Sequence, residues 1–459
     1  MGNTESAVVQ KRLTRFRPEE RPAIDGVFNK LVCGGGGSEA AGNAITLQML
    51  QSSMGSVASD SLVRRVFRCL CSIDPDLAAP AFGKADQRPA SLVTREQLVI
   101  FLADTLRGTA EERAPLVLVM SQPPSSAAAA VTCGQVVEFV QDLISAVVQI
   151  LTSRGRLDGW KPDKMADSSV GVKLLAENLC SELKPADPDS CDVSCLEDWI
   201  FRTPQVSLYL EMLADEGLSV SLSSCPPPRL LPPCRETPWN ELDSLLDVPT
   251  LMFLAPQVPD GYSAPWRLAF STQVHGESFT RMMASLTRGG PSLLLLKDTK
   301  GHVFGGFASH TWELKPQFQG DSRCFLFSVV PTMRVYTATG YNEHFMYLNQ
   351  HQQTMPNGLG MGGQHEYFGL WLDSDFGRGH SRARPKCTTY SSPQLSGDED
   401  FTLDSMEVWH VGKPPKAEEE EEEEEGKKSI LFVDPEVQAL MEMTGKTLHS
   451  EGLREPEDD

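Results

Sequence analysis

Apolar residues recur at helical spacing along the first half of the chain. The first such group, at positions i, i+3, i+4 and i+7, consists of Ile24, Val27, Phe28 and Leu31. This spacing places apolar side chains on one face and predicts amphipathic helices. Similar groups continue through 18–151 and again through 152–225. We therefore expect two successive helical regions, with loops between paired helices.

The spacing changes to that of strands in the second half. Four short runs rich in aromatic, β-branched and small residues lie at 303–309, 324–329, 344–349 and 367–373. Such residues suit a pleated, half-buried surface. Glycines inside these runs, at Gly305, Gly306 and Gly369, indicate bulges or close approach of another chain segment. The runs predict a β-rich domain over 242–412.

Proline marks the change between the two patterns. A proline cluster within 226–241 cannot continue a helix, so this segment is predicted to be a linker or a seam between domains. The predicted fold class is α+β, with helices first and a β-rich domain after them.

The order of helix, acidic loop and helix within 18–151 is similar to that of an EF-hand. A calcium loop needs glycine at its sixth position and a bidentate glutamate at its twelfth. Counted from Asp74, the sixth position is Ala79 and the twelfth is Ala85, and an earlier loop offers Ser38 and glycines instead of carboxylates. A degenerate EF-hand-like scaffold is predicted, with no metal ligand, and this pattern disfavours the alternative of a calcium-dependent regulator.

The first residues carry a lipidation pattern. The segment MGNTES allows removal of Met1 and myristoylation of Gly2. Because one myristoyl chain gives only marginal membrane binding, a second signal is expected. A basic cluster in the arm 1–17 can contact anionic lipid head groups. Its members are Lys11, Arg12, Arg15 and Arg17.

The last residues predict a tethered helix. An acidic linker, 413–428, contains an uninterrupted glutamate run that repels itself. Beyond it, 429–459 is predicted to form an amphipathic helix, which either docks on its own protein or lies in a groove of another. The residues expected to bind a partner are Val437, Leu440, Met441 and Leu448.

Charge and cysteine content exclude some classes of function. A net charge of −21 argues against nucleic acid as a partner, since phosphates are bound by clustered lysine and arginine. The 11 cysteines are odd in number and lack a Cys-x-x-Cys pair, which favours reduced thiols over a disulfide framework. We expect no membrane-spanning helix, because no apolar run approaches about 20 residues.

A coherent catalytic set is not evident from the sequence. The glycine run 358–363 superficially matches a dinucleotide fingerprint, but a strand-like run follows where a helix is required, so a turn of the sheet is predicted instead. Histidines of the β-rich half lack the spacing of a metalloprotease or a hydrolase. The cluster Gln364-His365-Glu366 remains a candidate for part of a site, depending on what lies near it in the fold. An alternative is a redox enzyme that uses Cys324 or Cys387, which needs an exposed thiol of low pKa.

Five segments of the β-rich half together resemble the TLDc domain family. They are WRLAFSTQVHGESF (266–279), HVFGGFASHTW (302–312), RCFLFSV (323–329), NGLGMGGQHEYFGLWLDSDFGRGHS (357–381) and MEVWHVG (406–412). Gly2, the helical half and the segment 429–455 extend the similarity to a member of that family at the lysosome surface.

The resemblance implies a two-sheet β-sandwich with a few helices, no cofactor and no established catalytic residues. It also implies binding to the peripheral sector of the vacuolar proton-pumping ATPase, a link to oxidative-stress resistance and a part in mTOR signalling. The expected function is that of a non-catalytic adaptor at the cytosolic face of the lysosomal membrane, and also in the cytoplasm, whose partners are the proton pump, an mTOR signalling complex and, through myristate, membrane lipids.

Overall fold

The structure is a computed structural model of the chain. It describes residues 7–34, 44–76, 79–80, 92–123, 129–185, 189–220, 222, 228–259 and 263–412. The predictions for Gly2, for the acidic linker 413–428 and for the C-terminal helix over 429–459 lie outside these residues.

The first half is helical and the second half is dominated by strands, as predicted. The helices are α1 (Ala7–Leu13), α2 (Arg21–Gly34), α3 (Leu47–Met54), α4 (Asp60–Ser72), α5 (Arg95–Arg107), α6 (Ala110–Ser121), α7 (Cys133–Ser153), α8 (Ser168–Cys180), α9 (Val193–Arg202), α10 (Pro204–Gly217), α11 (Val248–Leu254), α12 (Thr272–His275) and α13 (Phe279–Leu286).

The strands pair in antiparallel fashion throughout the described residues. They are β1 (Ile73–Asp74), β2 (Ala79–Pro80), β3 (Arg267–Ser271), β4 (Ser292–Asp298), β5 (Val303–Ala308), β6 (Lys315–Gln319), β7 (Phe325–Val330), β8 (Arg334–Thr337), β9 (Met346–Asn349), β10 (Gly358–Gln364), β11 (Tyr367–Asp373), β12 (Arg378–His380) and β13 (Asp400–His410). The four predicted strand runs correspond to β5, β7, β9 and β11 and are confirmed.

Helices α1 to α10 form one bundle. Helix α6 packs on α9, and α10 packs on both α5 and α7, so helices on either side of residue 151 share a single hydrophobic core. The expected division into 18–151 and 152–225 therefore does not correspond to two separate cores. Helix α7, with 21 residues, is long and apolar enough to cross a membrane by length and composition alone. Its apolar face, which includes Phe139 and Ile144, is buried in the bundle.

Loops of the bundle are joined in pairs, as in paired EF-hands. Antiparallel bridges connect Ile45 with Val93 and Val131 with Cys191. A helix begins directly after each of these residues, behind a capping side chain whose oxygen accepts a bond from the first turn. The caps are Thr46, Thr94, Thr132 and Asp192. The EF-hand-like arrangement thus occurs twice, and its second copy extends beyond the predicted limit at residue 151.

The position that supplies the calcium-binding glutamate holds other residues. In an EF-hand this glutamate ends the loop, where the second helix begins. The residues three positions after the caps are Met49, Gln97, Gln135 and Cys195. Gln97 and Gln135 instead accept bonds from the backbone N–H of their own caps. The count from Asp74 to Ala85 was wrong, because α5 begins only at Arg95. Neither count places a carboxylate at the twelfth position, where Ala85 or Gln97 lies instead.

The β-rich half is a sandwich of two sheets that share β13. The first sheet contains β3, β4, β5, β7, β8 and the end of β13, and the second contains β6, β9, β10, β11, β12 and the start of β13. Leu294 and Leu296 of β4 point into the core between the sheets, whereas Leu293 and Leu295 face the helical bundle. The first sheet is therefore covered on both faces, which explains the continuous apolar run of β4.

The seam between the bundle and the sandwich is a packed core. Trp160, which follows α7, lies with its ring centroid 5.1 Å from that of Trp409 on β13, and its Nε1 donates to the carbonyl of Pro232 at 2.8 Å. Residues 230–234 of the proline-rich segment are buried, and exposed residues lie on either side of them. Glu407 on β13 accepts bonds from Ser244 Oγ at 2.9 Å and Leu245 N at 2.7 Å.

Candidate functional site

The outer face of the second sheet, which points away from the bundle, carries a layer of rings. We call this layer the outer aromatic face. Its members are Phe318, His344, Tyr347, His365, Phe368, Trp371 and His380. Tyr347, Phe368 and Trp371 are buried at its base, and Phe318, His344 and His365 are half-buried above them.

Glycines of β10 make room for these rings. A Cβ atom placed on Gly360 would lie 2.6 Å from Phe368 Cδ1 and 2.8 Å from Trp371 Cε3, both closer than van der Waals contact allows. The run 358–363 is therefore a strand whose missing side chains leave a slot for aromatic rings. Our expectation of a turn was wrong: the turn is His365-Glu366, between the paired residues Gln364 and Tyr367.

The histidines of this face belong to the stack of rings, and the pKa values of His365 and His380 are lowered. The rings of Phe318 and His344 stack with centroids 4.0 Å apart, and Trp371 stacks on His380 at 5.8 Å. Burial lowers the pKa of His380 to about 4, with Arg382 acting in the same direction. Burial, together with His344, also lowers the pKa of His365. At neutral pH His365 and His380 therefore add ring surface without charge.

A cavity of about 650 Å³ opens beside the buried rings. Phe368, Trp371 and His380 form part of its wall, and charged residues surround them. The charged residues are Glu366, Asp373, Arg378, Arg382 and Asp400. Aromatic residues and arginine within a polar rim are typical of protein-binding surfaces.

A Ser-His-Asp grouping lies elsewhere in the sandwich. Ser309 Oγ is 2.9 Å from His310 Nδ1 and 3.2 Å from Cys324 Sγ, and His310 Nε2 is 3.9 Å from Asp321 Oδ2. Both Ser309 and Cys324 are buried, and neither lines the cavity beside Trp371. A nucleophile needs access to substrate and a base within hydrogen-bond reach, and this group offers only the second.

The two cysteines considered for redox chemistry are both buried. Burial raises the pKa of the Cys324 thiol and of the Cys387 thiol. Since a reactive cysteine is an exposed thiolate, the structure argues against either residue as a redox centre. Within the described ranges, no group of three or more His, Cys, Asp or Glu residues is placed to hold a metal ion.

The predicted lipid-contact residues divide into two sets. Lys11 and Arg17 are exposed. Arg12 and Arg15 turn into the bundle, where Arg12 Nε lies 2.8 Å from Asp104 Oδ1 and Arg15 Nη1 lies 2.8 Å from Glu112 Oε2. Two guanidinium groups that were expected to face lipid therefore bind carboxylates of α5 and α6 in this structure. Lipid contact by the arm stays a prediction.

This ion cluster fixes α1 to the bundle. Burial opposes ionisation of Glu112, but hydrogen bonds from Arg15 and from the backbone of Thr109 lower its pKa to about 2. Burial raises the pKa of Asp104, and Arg12 and Arg15 act against that rise. Hydrogen bonds between charged groups are stronger than those between neutral groups, so these contacts hold α1 against the bundle.

The sequence singled out only part of the outer aromatic face. Gln364-His365-Glu366 was noted, and the structure shows it as the hairpin turn that brings His365 against Phe318. Phe318, Tyr347 and Trp371 were not predicted as a group. Alternation along β9 and β11 was the available signal, but the sequence does not show that both strands pair with β10, and this pairing decides which of their residues share a face.

Known proteins are similar to this chain both in the β-rich half and along the whole length. A sequence profile of the TLDc domain matches residues 240–412. The chain is 61% identical over 462 residues to "MTOR-associated protein MEAK7" of Danio rerio and 42% identical over 469 residues to the protein of that name from Homo sapiens, covering 100% of each chain. It is 34% identical over 177 residues to "Nuclear receptor coactivator 7" of Homo sapiens, which covers 38% of this chain and 17% of that one. The chain therefore belongs to the TLDc-domain family, and it matches those MEAK7 relatives along its whole length.

Proposed function

We propose that this chain is a non-enzymatic regulator in mTOR signalling that acts by docking on other proteins. Two kinds of evidence support the proposal. Relatives of matching length carry the name mTOR-associated protein. The sandwich also offers a surface of aromatic rings beside charged residues, whereas the candidate nucleophiles Ser309, Cys324 and Cys387 are buried. In cells lacking the protein, phosphorylation of mTOR substrates after amino-acid refeeding should fall and should be restored by the intact chain.

More specifically, we propose that the outer aromatic face contacts the peripheral sector of the vacuolar proton-pumping ATPase. This choice of surface rests on the difference in exposure between the two sheets. The first sheet is covered by the helical bundle, and the second presents rings and a charged cavity on its outer side. The choice of partner rests on the TLDc resemblance.

The proposed location is the cytosolic face of the lysosomal membrane. Myristate on Gly2 would be attached five residues before Ala7, where the described part of α1 begins. Because Arg12 and Arg15 fix α1 to the bundle, an anchored lipid would hold the bundle close to the membrane. Lys11 and Arg17 are exposed and available to anionic head groups. Intact-mass measurement and membrane fractionation of the chain and of Gly2→Ala test this step.

Binding of the purified chain to the isolated peripheral sector tests the docking surface. Arg378→Glu reverses an exposed charge at the cavity, and Phe318→Ala removes a half-buried ring of the layer. Each should weaken binding by about tenfold, since arginine and aromatic residues dominate many interfaces. Interferometry with immobilised peripheral sector gives the affinity, and the melting temperature of each variant shows that it is folded.

Matched controls lie on other surfaces. Arg229→Glu reverses an exposed charge of the proline-rich segment, and Phe201→Ala removes a ring that is 81% exposed on α9. Both should bind like the unmodified chain. Equal weakening by all four variants would remove the argument for this face, and absence of binding by the unmodified chain would remove the partner.

The predicted C-terminal helix gives a second contact in this proposal. A tethered helix makes its own binding effectively intramolecular, which raises avidity. Deletion of 429–459, and separately replacement of Leu440 and Met441 by serine, should reduce co-purification of the pump. Unchanged co-purification would refute a role for this segment.

A further inference from the structure

Two cysteine thiols meet where the second pair of EF-hand-like loops is joined. Cys133 Sγ lies 3.4 Å from Cys191 Sγ. The backbone around them is fixed, because Val131 N donates to Cys191 O at 2.9 Å and Cys191 N donates to Val131 O at 2.7 Å. A disulfide requires about 2.05 Å between sulfurs, so a small side-chain rotation within this frame would close the bond.

The two thiols differ in access. Cys133 is half-buried and is the first residue of α7, whereas Cys191 is fully buried. Burial raises the pKa of the Cys191 thiol. An oxidant in solution therefore reaches Cys133 first, and Cys191 is placed to react second.

We propose that Cys133 and Cys191 form a reversible disulfide when the protein meets a peroxide. Hydrogen peroxide oxidises the Cys133 thiol to a sulfenic acid and releases one water. The Cys191 sulfur then attacks the sulfenic sulfur, the S–O bond breaks, and the oxygen leaves with the thiol proton as a second water. The bond links the start of α7 to the loop before α9, and a dithiol reductant reverses it.

The disulfide should increase the thermal stability of the bundle. Residues 133 and 191 are 58 positions apart in the chain, and a crosslink across such a loop restricts the unfolded state. The oxidised chain should melt at a higher temperature than the reduced chain. This inference does not depend on the proposed docking partner.

Peptide mapping of the full-length chain tests the proposal. The reduced protein is treated with hydrogen peroxide, alkylated, and cut with trypsin and an endoproteinase that cleaves before aspartate. Cys133 then lies alone in 114–141, Cys191 in 189–191 and Cys195 in 192–197. The expected product is 114–141 joined to 189–191, released by dithiothreitol. It should be lost in Cys133→Ser and Cys191→Ser.

Two controls make the result specific. Cys195→Ser removes the other thiol within hydrogen-bond reach of Cys191, and Cys33→Ser removes an exposed thiol of α2. Both should keep the product and the rise in melting temperature, whereas Cys133→Ser, judged folded by circular dichroism, should lose both. Oxidation of Cys33 while Cys133 and Cys191 stay open to alkylation would overturn the proposal, as would a link from 114–141 to 192–197.

Discussion

Individual side chains explain why this sandwich holds its shape. The sequence predicted that Gly305, Gly306 and Gly369 mark bulges or close approach, and close approach is what occurs at Gly369, where Cys387 Sγ would lie 2.9 Å from an added Cβ. The residues Glu407 and Trp409 could not be assigned from the sequence, because their partners Ser244 and Trp160 are distant along the chain.

Gly305→Ala tests the need for close approach. The new Cβ would collide with the carbonyl oxygen of Leu294 on the neighbouring strand, a backbone atom that cannot move without disturbing the pairing of β4 and β5. Overpacking of this kind costs about 1–3 kcal/mol of unfolding free energy, measured by urea denaturation. Gly26→Ala in α2 is the control, because its Cβ meets no atom within 4 Å, and it should be neutral or slightly stabilising.

Glu407→Ala tests the hydrogen bonds that Glu407 accepts in the seam. Glu407 accepts bonds from Ser244 Oγ, Leu245 N and Trp409 Nε1, so its loss leaves buried donors without an acceptor. We expect the unfolding free energy, measured by urea denaturation, to fall by about 2–4 kcal/mol, because each buried donor left without an acceptor costs about 1–3 kcal/mol and three donors are affected. Glu399→Ala removes a carboxylate whose partner, Arg384, is exposed, and it should leave the unfolding free energy nearly unchanged. A similar loss in both variants would contradict this assignment.

Helices and strands were largely predictable, whereas their pairing was not. Apolar spacing found the helices of the bundle, and aromatic runs found β5, β7, β9 and β11. The glycine run 358–363 was mistaken for a turn, because strand propensity is read from side chains and glycine has none. The paired loops of the bundle were missed as a repeat, although a capping residue follows each bridging residue. That signal is short, and its meaning depends on a partner loop elsewhere in the chain.

The attachment of α1 should depend on pH through Glu112. Its pKa is lowered to about 2 in the folded chain, below the ordinary value of 4.5, so the ionised form is bound more strongly in the folded state. Its stabilising contribution is complete above about pH 4.5 and disappears as the pH falls through about 2. The stability difference between the unmodified chain and Glu112→Gln should therefore shrink over this window. Hydrogen exchange of α1 should be faster in Glu112→Gln at pH 7, and equal exchange would contradict the proposed attachment.

Taken as one molecule, the helical half and the sandwich share a core. Rings from both halves meet in the seam, where Trp160 lies against Trp239, Trp266 and Trp409. The length of 459 residues alone favours more than one core, because it exceeds what a single core usually supports. The sequence could not show that the first sheet is covered on both faces, since this depends on contacts between residues more than a hundred positions apart.

Unfolding should be cooperative across both halves. Separation of the bundle from the first sheet would expose Leu293, Leu295 and Phe307 to water, at a cost of about 1.5–3 kcal/mol for each buried side chain. Thermal melts followed by tryptophan fluorescence and by far-ultraviolet circular dichroism should therefore coincide. Two resolved transitions, with the strand signal persisting after the helical signal is lost, would contradict a shared core.

Affinity purification from lysosomal membranes is the decisive measurement for a protein that works by docking. Tagged full-length chain is compared with Arg378→Glu, and with Arg229→Glu as the control, at equal expression. We predict that peripheral-sector subunits of the proton pump co-purify with the unmodified chain and with Arg229→Glu, and are depleted about tenfold with Arg378→Glu. Equal recovery with all three proteins, or no recovery with any of them, would contradict docking through the outer aromatic face.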